Sequence, residues 1–334
     1  MGVRGYPHAM QVGYALSSEE HKPRDLIANA VAAEKAGFAF ALISDHFHPW
    51  IDRQGESPFV WSVLGGIAAS TTDLVVGTGV TCPLVRVHPA VIAQAAATTA
   101  SLFDDRFFLG VGTGENLNEH IVGDRWPPTS LRREMLAEAV ELMRKLWTGE
   151  LVTHRGSHYT VEDARIYTLP KNPFDVCVAA GGPEAAKLAA EIGDGIICTA
   201  PDAELLEAFA EAGGGGPRYA QVTLCWAETE KEAVQTALEW WPNAGLRGPL
   251  SQELPLPSHF EQAAAMVSAD DITEAIACGP DPDTHIQKIE AYRDAGFDHI
   301  YLHQVGPDQQ GFMRFYERTL APQLASLGVA SGRA

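Results

Sequence analysis

The sequence predicts an eight-fold α/β barrel, and three observations support this. Short apolar runs alternate with Ala-rich amphipathic stretches eight times, the pattern of successive parallel βαβ units. The length of 334 residues suits one barrel of about 250 residues with insertions. Only one long stretch, residues 228–276, departs from the alternation; it reads as a helical insertion between strands seven and eight. A doubly wound open sheet shares the alternation, but eight units close naturally into a ring. The whole chain, residues 1–334, is expected to form this one barrel domain.

The elements follow in order. Gln11–Leu16 reads as the first strand, and Asp25–Ala36 as a helix stopped by Gly37. Phe38–Ile43 is the second strand, Pro58–Ser70 a helix, Leu74–Val80 the third strand, and Pro89–Phe103 a helix with proline at its start. Phe107–Val111 is the fourth strand. Ser130–Trp147 is a long helix, with Leu131, Met135, Leu142 and Leu146 at helical spacing. Leu151–Thr153 and His158–Thr160 pair as a hairpin. Val176–Ala180, Gly195–Cys198 and Gln221–Ala227 are strands five to seven, separated by helices Pro183–Glu191 and Ala203–Ala212. Gly213–Gly216 is a loose turn. Asp283–Ala295 is helical, His299–His303 is the eighth strand, and Gln310–Leu327 is the last helix, with a frayed tail at Ala330–Ala334.

A formal charge of −19 argues against nucleic-acid binding, since phosphate backbones attract basic surfaces. The five cysteines, at 82, 177, 198, 225 and 278, lack CxxC spacing and sit in apolar runs. They read as buried hydrophobes, not as disulfides or metal ligands. Neither a charged-then-apolar leader nor an apolar run of 18–20 residues is present. The expectation is a cytoplasmic protein that holds no metal and binds no membrane.

Active sites of such barrels lie at the C-terminal ends of the strands. After strand two, Ser44-Asp45-His46-Phe47-His48-Pro49-Trp50 concentrates a carboxylate, two imidazoles and an indole, groups suited to proton transfer. After strand four, Gly110-Val111-Gly112-Thr113-Gly114-Glu115 is a poor dinucleotide fingerprint, because Glu115 occupies the sixth position. It places a carboxylate among glycines that let a ligand approach the backbone; a helix N-cap or first-turn acid is the alternative. Ala179-Ala180-Gly181-Gly182-Pro183 leads into a helix, where exposed N–H groups suit a phosphate. A tight turn that needs glycine for geometry alone is the other reading. Glu19, Glu20 and Asp270-Asp271 read as solvated faces, and Asp281-Pro282-Asp283 as turn and helix cap.

These strings, with Gly193-Asp194-Gly195-Ile196-Ile197-Cys198-Thr199, resemble the luciferase-like flavin and deazaflavin oxidoreductases, in the branch of the F420-dependent glucose-6-phosphate dehydrogenases. The likeness runs from about Val12 to Leu320. It implies a (β/α)₈ barrel, often dimeric, that binds coenzyme F420 and passes hydride between the deazaflavin C5 and a carbinol carbon. By the resemblance, His46 takes the substrate hydroxyl proton, Trp50 flanks the reacting centre, and Glu115 acts at the acid/base side of the ring. Asp45 and Asn118 contact the cofactor, with Gly114 beside them. Gly79-Val80 forms a non-proline cis peptide under the ring. Ala179, Ala180, Gly181, Gly182 and Thr199 hold the phosphate-bearing tail.

The resemblance also marks a departure. The sugar-phosphate branch uses two lysines and an arginine on its substrate. This chain has Ala200-Pro201-Asp202 and Thr273-Glu274-Ala275-Ile276 at two of those places, and no Lys or Arg in 251–266. A phosphate dianion would lack its charge-assisted hydrogen bonds there. A neutral small-molecule alcohol or sugar is the expected substrate. An F420-dependent ketone or alkene reductase, or an FMN-dependent monooxygenase, is the alternative.

Overall fold

The structure, a computed structural model, describes residues 10–328; the tail Ala330–Ala334 lies outside them. Eight parallel strands form the barrel: β1 (Gln11–Leu16), β2 (Phe40–Ile43), β3 (Val75–Thr78), β4 (Phe107–Val111), β7 (Val176–Ala179), β8 (Gly195–Cys198), β9 (Arg218–Cys225) and β11 (His299–Gln304). They pair in that order, and β11 returns to β1 with Val12 opposite Ile300, so the sheet has closed. A hairpin of β5 (Val152–Arg155) and β6 (Thr160–Ala164) lies outside the ring. The two-residue strand β10 (Ala277–Cys278) pairs with Leu224 and Cys225 of β9, above the point where β8 leaves it.

Helices α1 (Pro23–Ala36), α2 (Val60–Ala68), α3 (Pro89–Phe103), α5 (Thr129–Leu146), α6 (Pro183–Ile192), α7 (Ala203–Glu211) and α12 (Pro282–Ala295) connect the strands. The short α4 (Asn116–Glu119) precedes α5. The stretch read as an insertion carries α8 (Glu230–Trp240), α9 (Leu250–Glu253), α10 (Pro257–Ala264) and α11 (Ala269–Ala275). The C-terminal helix is interrupted: α13 (Gln309–Phe315) passes through a π-helical turn, Tyr316–Leu320, into α14 (Ala321–Ser326).

Strand seven begins at Arg218, three residues before the expected start, because Arg218 pairs with Ile196 and its N–H donates to Asp298. Strand three ends at Thr78, short of the expected Val80; the backbone leaves the ladder at the cis peptide Gly79-Val80. The hairpin strands lie later than expected because four donors converge on Glu138. The N–H groups of Ser157, His158 and Tyr159 donate to its carboxylate, and His154 Nε2 lies 3.1 Å away. Burial acts to raise the Glu138 pKa, but these bonds outweigh it and hold the carboxyl below its ordinary range. Its contribution to hairpin order is therefore present above the ordinary Glu pKa of about 4.3 and lost as pH falls through the depressed value. Protection of the 157–159 amides, measured against their intrinsic exchange rates, should fall across that window, and Glu138→Gln should remove the acid step.

The barrel interior holds Phe40, Leu42, Phe108, Ile197, Tyr219 and Tyr301. Phe108 stacks on Tyr219 at 4.8 Å. The two large rings need glycine opposite them: a Cβ on Gly77 would overlap the Phe108 ring, and one on Gly13 the Phe40 ring. Gly77→Val should cost about 1–3 kcal/mol by overpacking, read as a lower urea midpoint. Between barrel and helices, Leu26, Ala30 and Ala33 of α1 form one fully buried face. Gly37 ends that helix in the left-handed region, at φ 88°. The five cysteines are free and buried.

Candidate active site

A cavity of about 780 Å³ opens at the C-terminal ends of the strands. Its wall includes Ala15, Leu42, Val80, Ile197 and Tyr301 as apolar surface, with Glu19, His46, Trp50 and Glu115 among the polar groups.

His46 stands between two carboxylates. Its Nδ1 lies 3.2 Å from Glu19 Oε1 and its Nε2 4.0 Å from Glu115 Oε2. The Glu19 contact falls outside hydrogen-bond geometry, so buried Nδ1 has no hydrogen-bond partner. Trp50 meets the imidazole edge-on at 5.0 Å and itself rests against Phe260 at 5.2 Å. Glu115 occupies the N-cap position of α4, yet its side chain makes no cap bond; it accepts from Asn118 Nδ2 at 3.3 Å and points toward His46. Glu115 thus takes the N-cap position of the alternative reading, but without a side-chain cap bond.

Glu19 and Glu20 are buried, at 2% and 6% exposure, which corrects the expectation of a solvated face. Glu19 Oε2 accepts from the hydroxyls of Ser44 (2.7 Å) and Ser17 (3.1 Å). Burial acts to raise its pKa, but His46, the Ser44 bond and the more distant His303 prevail and hold it below the ordinary value. Glu19 is thus an anion under the imidazole. Glu20 serves a second imidazole: His303 Nε2 lies 3.0 Å from Glu20 Oε2, and the Gly306 N–H donates to Glu20 Oε1 at 2.8 Å. His303 also lines the cavity. Asp271 belongs to a capping box with Ser268, and Asp281 caps α12 as expected.

Two residues expected at the cofactor stand behind the cavity wall instead. Asp45 is buried and accepts from the Thr81 hydroxyl (2.8 Å) and from Arg86 Nη2 (2.9 Å). Asn118 Oδ1 accepts the N–H groups of Phe47 (2.9 Å) and His48 (3.2 Å). Both hold the loop that carries His46, and neither lines the cavity. The reason is Arg86, which pairs with Asp45 and with Glu119 at 3.3 Å and draws Asp45 inward. The expected cis peptide at Gly79-Val80 is present, and both residues line the cavity. Gly112 lets Val80 and Ala179 close in, since a Cβ there would collide with Val80. Gly114, at φ 71°, packs against Cys82.

At the other end, Ala179, Ala180, Gly181, Gly182 and Thr199 line the cavity. A Cβ on Gly181 or Gly182 would meet nothing, so packing does not demand glycine there; its absence of side chain leaves space. Pro183 brings no N–H to the first turn of α6, and Ala185 and Ala186 both donate to the Gly182 carbonyl at 3.0 Å. Sequence reasoning missed Arg133. It lies one turn after Thr129 on α5, and both line the same end. It is the one Arg or Lys of the cavity wall among the described residues, and it acts on Glu184 of α6. Of the positions where cations were missing, Asp202 caps α7 and Glu274 pairs with Arg247 at 3.2 Å.

The luciferase-like monooxygenase family profile matches residues 5–299. The chain belongs to the luciferase-like family. Curated relatives of this luciferase-like barrel include an F420-dependent glucose-6-phosphate dehydrogenase from Segniliparus rotundus, 39% identical over 95% of this chain and 99% of the relative. Another so named, from Mycolicibacterium gilvum, is 37% identical over 96% and 99%. Among solved structures, an F420-dependent secondary alcohol dehydrogenase in complex with an F420-acetone adduct superposes with a TM-score of 0.87. It is 30% identical, with 94% of this chain and 98% of that one covered. The F420-dependent tetrahydromethanopterin reductase from Methanopyrus kandleri shares the luciferase-like fold, at TM-score 0.77 and 20% identity over 95% and 99% of the two chains.

Proposed function

We propose that this luciferase-like barrel is an F420-dependent oxidoreductase acting on the carbinol carbon of a neutral alcohol or sugar. The observation that carries the reading is His46, set between Glu19 and Glu115 on the wall of a cavity floored by Gly79-Val80. The residues present fit the cofactor. The apolar wall of Leu42, Val80 and Ile197 suits a flat ring, and the glycine turn before α6 leaves room for a phosphodiester. Gly181, Gly182, Thr199 and Arg133 would hold the tail.

When bound, F420 supplies hydride exchange at its C5. The chain's own residues handle the proton. His46 Nε2 faces the cavity and accepts the substrate hydroxyl proton. The anionic Glu19 beside Nδ1 stabilises the resulting imidazolium. Glu115, oriented by Asn118, is the second proton-handling group, and Trp50 walls the reacting centre. Asp45 and Asn118 act by positioning the His46 loop.

F420 should bind more tightly than FMN, and Arg133→Ala should weaken F420 about tenfold, less at high salt, because an exposed ion pair is screened. Fluorescence titration of the ring measures both. Tighter FMN binding with oxygen-dependent turnover would favour a monooxygenase. Glucose 6-phosphate should be a poorer substrate than glucose, since among the described residues the one Arg or Lys of the cavity wall, Arg133, stands at the glycine-turn end; equal turnover would refute the neutral-substrate part.

No helix among the described residues is long and apolar enough to cross a membrane. We infer a cytoplasmic homodimer. Phe59, Val91 and Leu102, each more than half exposed on the α2–α3 face, supply the apolar surface that a second copy would cover.

A further inference from the structure

Arg132 heads the largest fully buried side chains among the described residues, and little balances its charge. The one carboxylate beside it among those residues, Glu253, stands 3.5 Å from Nη1 and is half exposed. Its other partners are neutral. Nη1 donates to the Pro127 carbonyl at 2.8 Å, and Nη2 donates to Thr129 Oγ1 and to Gln252 Oε1, each at 3.1 Å. Trp126 covers the guanidinium, with its ring centroid 4.2 Å away. A buried cation so poorly balanced costs stability, which makes its setting beside the cavity informative.

A guanidinium donates hydrogen bonds and accepts none. Gln252 must therefore present its carbonyl oxygen to Arg132, which leaves the amide NH2 to donate elsewhere. Thr129 spends an oxygen lone pair on the same Nη2 and keeps its O–H. Neither donor has an acceptor among the described residues. Both residues line the cavity and both retain accessible surface, Thr129 exposed and Gln252 partly so. Arg133 lines the same end. The N-terminus of α5 adds to the positive potential, since no side chain caps it and no acid lies in its first turn. Of the nearby acids, Glu253 turns to Arg132 and does not line the cavity, and Glu184 is engaged by Lys187 at 2.8 Å. Asn116 Nδ2 donates to the Glu253 carbonyl at 2.9 Å, so α9 is fixed to α4 as well as to α5. An anion at this end meets donors already set in place.

We infer that Thr129, Gln252 and Arg133 form a subsite for a carboxylate carried by the cofactor tail beyond its phosphate, and that Arg132 is the positioning residue that orients it. The inference rests on F420 being the cofactor. F420 continues past its phosphodiester into a glutamyl chain, so a carboxylate is the anion it brings to this end. Fluorescence titration of F420 with glutamyl residues, against the glutamate-free form, tests it without turnover. The glutamyl form should bind about tenfold more tightly, less so at high salt. Gln252→Glu is the deciding variant. The new carboxylate still accepts from Arg132, and pairs with it better, but it has no N–H to give and repels an anion. The thermal midpoint should hold or rise while the preference for the glutamyl form falls toward parity. A purely structural role for Gln252 would leave that preference intact. Thr129→Val, which removes the O–H and keeps the shape, should lower the preference about threefold and repeats the test if Gln252→Glu does not fold. Equal binding of the two forms by the wild type, or a preference unmoved by both variants, would overturn the subsite and leave F420 as the cofactor. Failure of both forms to bind would overturn the cofactor reading with it.

Discussion

Replacing His46 with alanine should lower turnover about 10²–10⁴-fold, the usual loss on removing a general base, while F420 affinity stays close to that of the wild type. Division of labour inside the cavity leads to this split. The tail end is formed by backbone at Gly181 and Gly182 with Arg133 nearby, and the floor by Gly79-Val80. His46 touches neither; its polar neighbours are Glu19 and Glu115. The loss should appear in kcat and kcat/KM together, because the proton is accepted only as the reaction proceeds. Glu19→Gln separates basicity from shape: it keeps the contact and removes the charge that stabilises the imidazolium, so kcat should fall while F420 affinity stays close to that of the wild type. Single-turnover ring absorbance and fluorescence titration measure rate and affinity separately. If His46→Ala abolishes cofactor binding yet spares turnover at saturating cofactor, His46 is a support for the cofactor and His303 becomes the first candidate base.

Arg86→Met should destabilise the fold by about 3–5 kcal/mol, the range for removing one partner from a buried ion pair. The guanidinium bridges Asp45, at 2.9 Å, and Glu119, at 3.3 Å, whose side chains are 3% and 0% exposed. Burial already raises the Glu119 carboxyl above its ordinary pKa despite the arginine. Without it the value rises further. A carboxyl with a raised folded pKa penalises folding above that pKa and ceases to do so once protonated. The deficit should therefore shrink as pH falls through the raised value, which urea unfolding at several pH values would show. A deficit that is small and flat with pH would mean that water replaces the guanidinium.

The barrel was legible because eight βα units leave a repeated apolar signature. Strands Gln11–Leu16, Phe107–Val111 and Gly195–Cys198 begin and end where the apolar runs do. The π-turn at Tyr316–Leu320 was not legible, since a helix that changes hydrogen-bond step keeps the same apolar face. β10, at two residues, is too short to carry a period. At the site, His46, Trp50 and Glu115 stood out through strand-end position and chemistry. Glu19 and Glu20 did not: an acidic pair in a loop looks solvated until its partners are known. The partner of Glu20 is His303, 283 residues away, and only the meeting of β11 with β1 brings it near. Arg133 looked like any helix-surface cation because α6, which approaches it, comes fifty residues later.

The turn after β1 hands one carboxylate to each of the two imidazoles, and neighbouring residues, Glu19 and Glu20, do so. Ser18, the residue before them, is laced to the end of β2 through the Ser44 hydroxyl and carbonyl at 2.7–2.9 Å. The two sides of the pocket thus share one hinge pin. A small rotation of that peptide would draw one carboxylate toward its imidazole while moving the other away, so neither side has an adjustment of its own. Substitutions chosen to widen the His303 side should therefore disturb the His46 side even when they touch none of its atoms, and paired changes across the turn would be needed to alter one and keep the other.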